Sequence, residues 1–132
     1  MTKRLFVYGT LRPGREPAPL RPFIARLKLV GPATVEGTLY DLGTYPGMLF
    51  AGAGRVSGEV FEVPDDNAFW HALDDYEGFD PLQPEKGLFR REACSARMND
   101  GGEVACDIYV YNGTPSESQR VGSGRWRQQE QF

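Results

Sequence analysis

Pro64-Asp65-Asp66-Asn67-Ala68-Phe69-Trp70-His71-Ala72-Leu73-Asp74-Asp75-Tyr76-Glu77-Gly78 is the stretch that keeps this chain from reading as an all-β protein. Pro64-Asp65-Asp66 supplies an N-cap and a negative first turn. Phe69, Leu73 and Tyr76 follow at i, i+4 and i+7, which places all three on one helical face and predicts Tyr76 as a core residue. Gly78 is the expected left-handed stop.

On either side of this helix the sequence is made of short β-prone runs. Residues 56–63 precede it. Residues 79–87 form a Pro-containing loop, and residues 88–98 and 103–112 form two strands around Asn99-Asp100-Gly101-Gly102, a strong hairpin signal. Toward the N-terminus, Arg4-Leu5-Phe6-Val7-Tyr8 is a buried strand halted by Gly9, and residues 10–17 read as a loop. Leu20, Phe23, Ile24 and Leu27 have the spacing of a short, weak helix, broken by Gly31-Pro32. Residues 33–42 alternate as a strand, Gly43 to Gly47 turns, and residues 48–50 form a short strand. The pattern predicts an α+β fold, with about six strands and flanking helices in a small mixed, partly closed β-barrel. Residues 1–114 form the domain, and residues 115–132 form a polar, loosely held tail.

Composition narrows the function classes. The chain has 132 residues, enough for one domain with a real core. Sixteen Gly and ten Pro make up about a fifth of it, against an average near 12%, which favours turns and short strands. A net charge of −3 argues against a nucleic-acid partner, which calls for a basic excess. No apolar run approaches a membrane span, and the N-terminus lacks a signal peptide's apolar stretch, so a cytoplasmic location is expected. Two cysteines and one histidine, His71, exclude a four-thiolate zinc centre and a His-paired metal site. His71 lies off the apolar stripe and reads as exposed. Cys94 and Cys106 share strand parity on the hairpin and read as reduced small hydrophobes.

Three groups of residues can carry chemistry. Gly9, directly after a strand, allows the backbone to present consecutive N–H groups outward as an anion-binding nest, or it is a plain strand-to-loop turn. Asp74, Asp75 and Glu77 crowd the last turn of the helix, where the dipole and like charges disfavour ionisation and raise a carboxylate pKa. The bland alternative is that all three point into water. Glu77 is i+4 from Leu73 and borders the apolar stripe, which makes it the carboxylate closest to desolvation. Tyr40, Tyr45, Tyr109 and Tyr111 form the third group. Tyr109 and Tyr111 share a strand face and either line a pocket or pack in the core with hydroxyls at its rim.

Taken together these segments resemble a known family. Val7-Tyr8-Gly9-Thr10-Leu11-Arg12-Pro13-Gly14 is similar to the N-terminal signature of the γ-glutamylcyclotransferase-like (AIG2-like) superfamily, in particular its small bacterial members. Gly37-Thr38-Leu39-Tyr40-Asp41-Leu42-Gly43 with Tyr45-Pro46-Gly47, Gly58-Glu59-Val60-Phe61, Leu73-Asp74-Asp75-Tyr76-Glu77-Gly78-Phe79, and Phe89-Arg90-Arg91 with Tyr109-Val110-Tyr111 resemble its later blocks, in order.

The resemblance implies a compact barrel with no metal or organic cofactor. It implies cleavage of a γ-glutamyl amide by cyclisation to 5-oxoproline and a free amine, with Glu77 as general acid/base. Tyr8, Gly9, Thr10 and Leu11 would form the substrate loop, whose amides hold either the α-carboxylate or the oxyanion, and Tyr40 and Tyr111 would add to substrate binding. The implied partner is a small γ-glutamyl compound, with no nucleic acid or membrane, and the chain a monomer or weak homodimer. A binding module on the same fold, holding an amino-acid-like ligand without turnover, is the competing expectation. The chain departs from the family pattern at Phe89, where members often carry Tyr, so a hydroxyl that could meet substrate is missing.

Overall fold

The computed structural model describes residues 3–9, 21–43 and 45–126. Thr10 and Leu11, expected in the substrate loop, lie outside the described residues. The elements run β1 (Lys3–Val7), α1 (Arg21–Ile24), β2 (Lys28–Glu36), β3 (Thr38–Asp41), β4 (Pro46–Leu49), β5 (Arg55–Val63), α2 (Asn67–Glu77), β6 (Phe89–Met98), β7 (Glu103–Tyr111) and β8 (Arg120–Val121). A closed barrel has the strand order β1-β5-β2-β6-β7, and β4-β3-β8 make a separate three-stranded sheet. The architecture is the expected α+β barrel with few helices.

Strand alternation divides the apolar residues between two cores. Phe6 of β1, Val35 of β2, Val56 and Val60 of β5, and Ile108 and Val110 of β7 fill the barrel, where Leu39, Met48 and Trp126 join them. The outward positions of β1, β5, β6 and β7 present Leu5, Val7, Phe61, Val63, Phe89 and Tyr109 to Ile24 of α1 and to Phe69, Trp70 and Leu73 of α2. Phe69 and Leu73 are fully buried, each contributing about 1.5–3 kcal/mol. Tyr109 and Tyr111 share the outer face, as their parity requires.

The ends of α2 follow their local chemistry. Asp66 Oδ1 accepts the Ala68 N–H at 2.9 Å, and Arg26 holds the same carboxylate at 3.0 Å. Gly78 sits at φ 71°, ψ 34°, in the left-handed region. The hairpin turn closes with Asp100 Oδ1 accepting from Gly102 N at 2.8 Å.

Three expectations need correcting. Gly31-Pro32 does not break the chain, because β2 runs through both residues and absorbs them as an irregularity in its register with β5 between Leu29 and Gly31. The expected strand over residues 33–42 is instead two strands, β2 and β3, in different sheets. Gly37 divides them at φ +152°, with the backbone of Leu49 and the Met48 side chain where a Cβ would stand. Within the segment expected to be a loose tail, the described residues, 115–126, are anchored. Leu39 pairs with Val121 and Tyr40 with Arg120, and Trp126 is 2% exposed inside the barrel core. A polar, Gly/Ser-rich composition conceals a single anchoring indole.

Candidate active site

The inward face of α2 is centred differently from the spacing that predicts it. At about 100° per residue, the buried set Phe69, Trp70, Leu73 and Asp74 centres near 70° from Phe69, which puts Glu77 on the centre line and Tyr76 roughly 90° away. Trp70 causes the rotation. Tyr76 is therefore not core: it is 43% exposed and lies at the cavity described next. His71 is exposed, as expected.

Glu77 lines a cavity of about 210 Å³ set between the last turn of α2, the end of β1 and the start of β4. Tyr8 and Gly9 border it just past the end of β1, Tyr45 from the turn before β4, Pro46 from the first position of β4, and Phe89 and Tyr109 from β6 and β7. The cavity exists because the barrel's seam is short. β1 pairs along its whole length with β5, but the recorded parallel pairing with β7 is the single position Leu5 beside Asp107. Past that point the β1 edge opens toward the cavity.

Gly9 has no positive φ. The need for glycine is steric, since a Cβ there would meet Pro46 Cγ at 2.8 Å. The bend at Gly9 lies outside the sheet ladder.

Two buried hydrogen-bond chains support this corner. The Tyr8 hydroxyl donates to the Tyr109 carbonyl at 2.6 Å and accepts from the Met48 N–H at 3.2 Å. The Tyr109 hydroxyl donates to Asp74 Oδ1 at 2.7 Å. Asp74 is 6% exposed, and Arg91 of β6 approaches the same oxygen at 3.7 Å. That guanidinium also lies 4.5 Å from the centre of the Trp70 ring and 3.9 Å from Asp107.

The electrostatics follow from burial. Glu77 is pushed up to about 8, first by burial and second by the negative charge of Asp74. Tyr8 and Tyr109 are held well above the usual phenol range, chiefly by burial. Both hydroxyls thus stay protonated and serve as donors, while Glu77 is the group able to exchange a proton near neutral pH.

The expected site residues Glu77, Tyr8 and Gly9 come together around one cavity. Tyr8 borders the cavity with its hydroxyl committed to the Tyr109 carbonyl and the Met48 N–H. Tyr40 does not join them. It lies on β3 beside a separate groove with Arg55 and Arg120, because β3 belongs to the small sheet. Tyr111 stands behind the cavity wall, its ring centroid 5.8 Å from that of Phe89. Cys94 and Cys106 pair across β6 and β7 with sulfurs 3.5 Å apart, away from the cavity.

Sequence reasoning did not foresee Pro46, Leu88 and Tyr76 as lining residues, nor Arg91 as the partner of Asp74. In the sequence Arg91 stands out only as part of the Phe89-Arg90-Arg91 block. Its parity with Phe89, on the face that meets α2, was the available signal. Among the described residues no three His, Cys, Asp or Glu side chains gather in a way that could hold a metal ion, and no helix is long and apolar enough to cross a membrane.

Comparison with known proteins shows the family and the fold. The family model described as gamma-glutamyl cyclotransferase, AIG2-like matches residues 5–128. A putative gamma-glutamylcyclotransferase of Vibrio cholerae serotype O1 is 30% identical over 130 residues, covering 97% of this chain and 98% of its own. The gamma-L-glutamyl-butirosin B gamma-glutamyl cyclotransferase of Niallia circulans is 32% identical over 110 residues, 82% of this chain and 66% of that protein. Among solved structures, YkqA of Bacillus subtilis superposes with a TM-score of 0.70 at 27% identity, covering 98% of this chain and 41% of the longer one. An AIG2-like protein of Mus musculus shares the fold at a TM-score of 0.71 and 22% identity, covering 95% and 88%. With the family model matching residues 5–128 and a relative 30% identical along nearly its whole length, this chain belongs to the AIG2-like gamma-glutamyl cyclotransferase family.

Proposed function

We propose that the protein cleaves a γ-glutamyl amide by intramolecular cyclisation, releasing 5-oxoproline and a free amine. Family membership supports γ-glutamyl cyclotransferase-type activity in general. One observation carries the specific reading: the cavity's carboxylic acid, Glu77, is pushed up to about 8, close to the ~7.7–8.0 of an α-amine. Near-matched acids exchange a proton with little loss in either direction, as a group that must act first as base and then as acid requires.

A second feature agrees. Among the described residues lining the cavity there is no Ser, Thr, Cys, Lys or His, a lining that suits a nucleophile carried by the substrate itself. In the proposed reaction the neutral α-amine attacks the γ-carbonyl carbon, forming a new C–N bond and a tetrahedral oxyanion. Glu77 takes a proton from the attacking nitrogen and donates it to the departing nitrogen. The original C–N bond then breaks, the carbonyl reforms, and the carboxylate is restored. One proton moves between two nitrogens, and no oxidant, metal or water enters the balance. Folding the glutamyl chain into a five-membered ring is an orientation problem that a tight cavity solves. The open edge of β1 and the two residues that follow it, Tyr8 and Gly9, supply backbone groups for the substrate's carboxylate or for the oxyanion.

The test is 5-oxoproline release from a panel of γ-glutamyl compounds by the wild type and by Glu77→Gln. The variant keeps shape and hydrogen bonding but cannot take a proton, so the expected loss is about 10²–10⁴-fold or more. A near-normal rate in the variant would remove Glu77 from the mechanism. Ligand-induced thermal stabilisation without release from any compound would favour a binding module instead.

A further inference from the structure

The rim of the Glu77 cavity is exposed yet apolar. Leu88 is 46% and Tyr76 43% exposed, and both border this one cavity. Single exposed apolar side chains are ordinary. Two large ones at the mouth of a cavity that holds the candidate acid call for an apolar occupant. Behind them the wall continues as packed rings, with Tyr45 and Phe89 at 6.1 Å between centroids. Phe89 brings no hydroxyl to that wall. Glu77 is the only formally charged residue among the described residues lining the cavity.

We infer, resting on the cyclotransferase reading above, that the amine half of the substrate is an uncharged apolar group, aliphatic or aromatic, seated against Leu88, Tyr76 and Phe89. The glutamyl half must reach Glu77 with both its α-amine and its scissile amide, so it occupies the end of the cavity between Glu77 and the edge of β1. The group beyond the amide nitrogen is then left at the apolar rim. A carboxylate there would stand near Glu77 with no cation among the described lining residues to offset the repulsion. A cation there would hold Glu77 in its anionic form and weaken it as the proton donor to the leaving amine. An apolar group incurs neither cost and removes hydrocarbon surface from water.

The experiment compares kcat/KM for five amides sharing the γ-glutamyl half: methylamide, butylamide, benzylamide, the glycine adduct with its free carboxylate, and the 4-aminobutylamide with its ammonium. The butyl and benzyl amides are expected to exceed the methylamide by about tenfold or more, and the two charged amides to fall below both of them. Leu88→Ser, at an exposed position, should collapse the benzyl-to-methyl ratio toward one, with circular dichroism and the thermal melt reporting that the variant is folded. Charged amides cleaved as well as or better than the apolar ones, or a ratio unmoved by Leu88→Ser, overturns this inference and leaves the cyclotransferase reading standing. Release of 5-oxoproline from none of the five overturns both.

Discussion

Replacing Asp74 by Asn removes a negative charge beside Glu77 while keeping an oxygen that can accept the Tyr109 hydroxyl, now at 2.7 Å. Asp74 and Glu77 are three residues apart on one helix, a spacing that brings Cβ atoms to about 5–6 Å. Two unit charges at about 6 Å and an effective dielectric near 20 repel by roughly 3 kcal/mol, about two pKa units. Arg91, 3.7 Å from Asp74, offsets part of that field, so about one unit is expected. Burial is the larger cause and is untouched by the substitution. Catalysis needs the Glu77 anion in the free enzyme, so kcat/KM falls as the pH drops through its pKa. The acid limb should lie near the wild-type value of about 8 and move roughly one unit lower in Asp74→Asn. The substrate's own amine titrates identically in both profiles, so the displacement between them is the readout. Carbon-13 NMR titration of the free proteins, with Glu77→Gln to assign the signal, measures the same quantity without substrate. Glu77 titrating in the ordinary carboxylate range, or a pKa unmoved by Asp74→Asn, would refute the electrostatic reasoning.

Stability should carry the same signature. Between the ordinary carboxylate value and about 8, folded Glu77 holds a proton that the unfolded chain has lost, so stability falls as pH rises through that window. Urea unfolding at pH 5, 7 and 9 should show the fall in wild type and its loss in Glu77→Gln, a difference on the order of 2–4 kcal/mol at pH 9. Gly9→Val forces a branched side chain against Pro46, 2.8 Å from where its Cβ would stand. Activity should drop by more than tenfold, and melting should show whether about 1–3 kcal/mol of overpacking accompanies it. Trp126→Ala empties part of the barrel core and should cost about 3–5 kcal/mol in chemical denaturation, whereas a loose tail would cost nothing measurable.

What the sequence made legible was mostly local. The cap at Asp66, the stop at Gly78 and the turn at Asp100 are each set by a few adjacent residues, and all three appear where expected. Glu77 was legible for the same reason, since helical spacing alone sets it beside the stripe. Tyr76 was misjudged because three apolar positions fix a stripe's centre poorly, and Trp70 rotates it. The division of residues 28–41 between two sheets depends on Leu49 and Met48 crowding Gly37, contacts no local pattern announces. The anchoring of Trp126, the isolation of Tyr40 from the cavity and the reach of Arg91 to Asp74 are likewise products of distant segments meeting.

The short seam between β1 and β7 bears on how the molecule assembles. The β6–β7 hairpin closes on itself through a four-residue turn and can form early, at small entropic cost. The seam instead joins parts of the chain far apart, as the Tyr8–Tyr109 hydrogen bond shows with 101 positions between its ends. Contacts of that separation form late, once the intervening chain is already ordered. The same seam has the fewest ladder bonds in the barrel to hold it shut. Amide hydrogens near the end of β1 should therefore exchange through openings far cheaper than global unfolding, while those of the hairpin wait for the whole domain. The cavity thus sits on the cooperative unit that is last to join and first to leave, where a bound glutamyl group tying β1 to α2 would have the greatest effect on the protein's breathing.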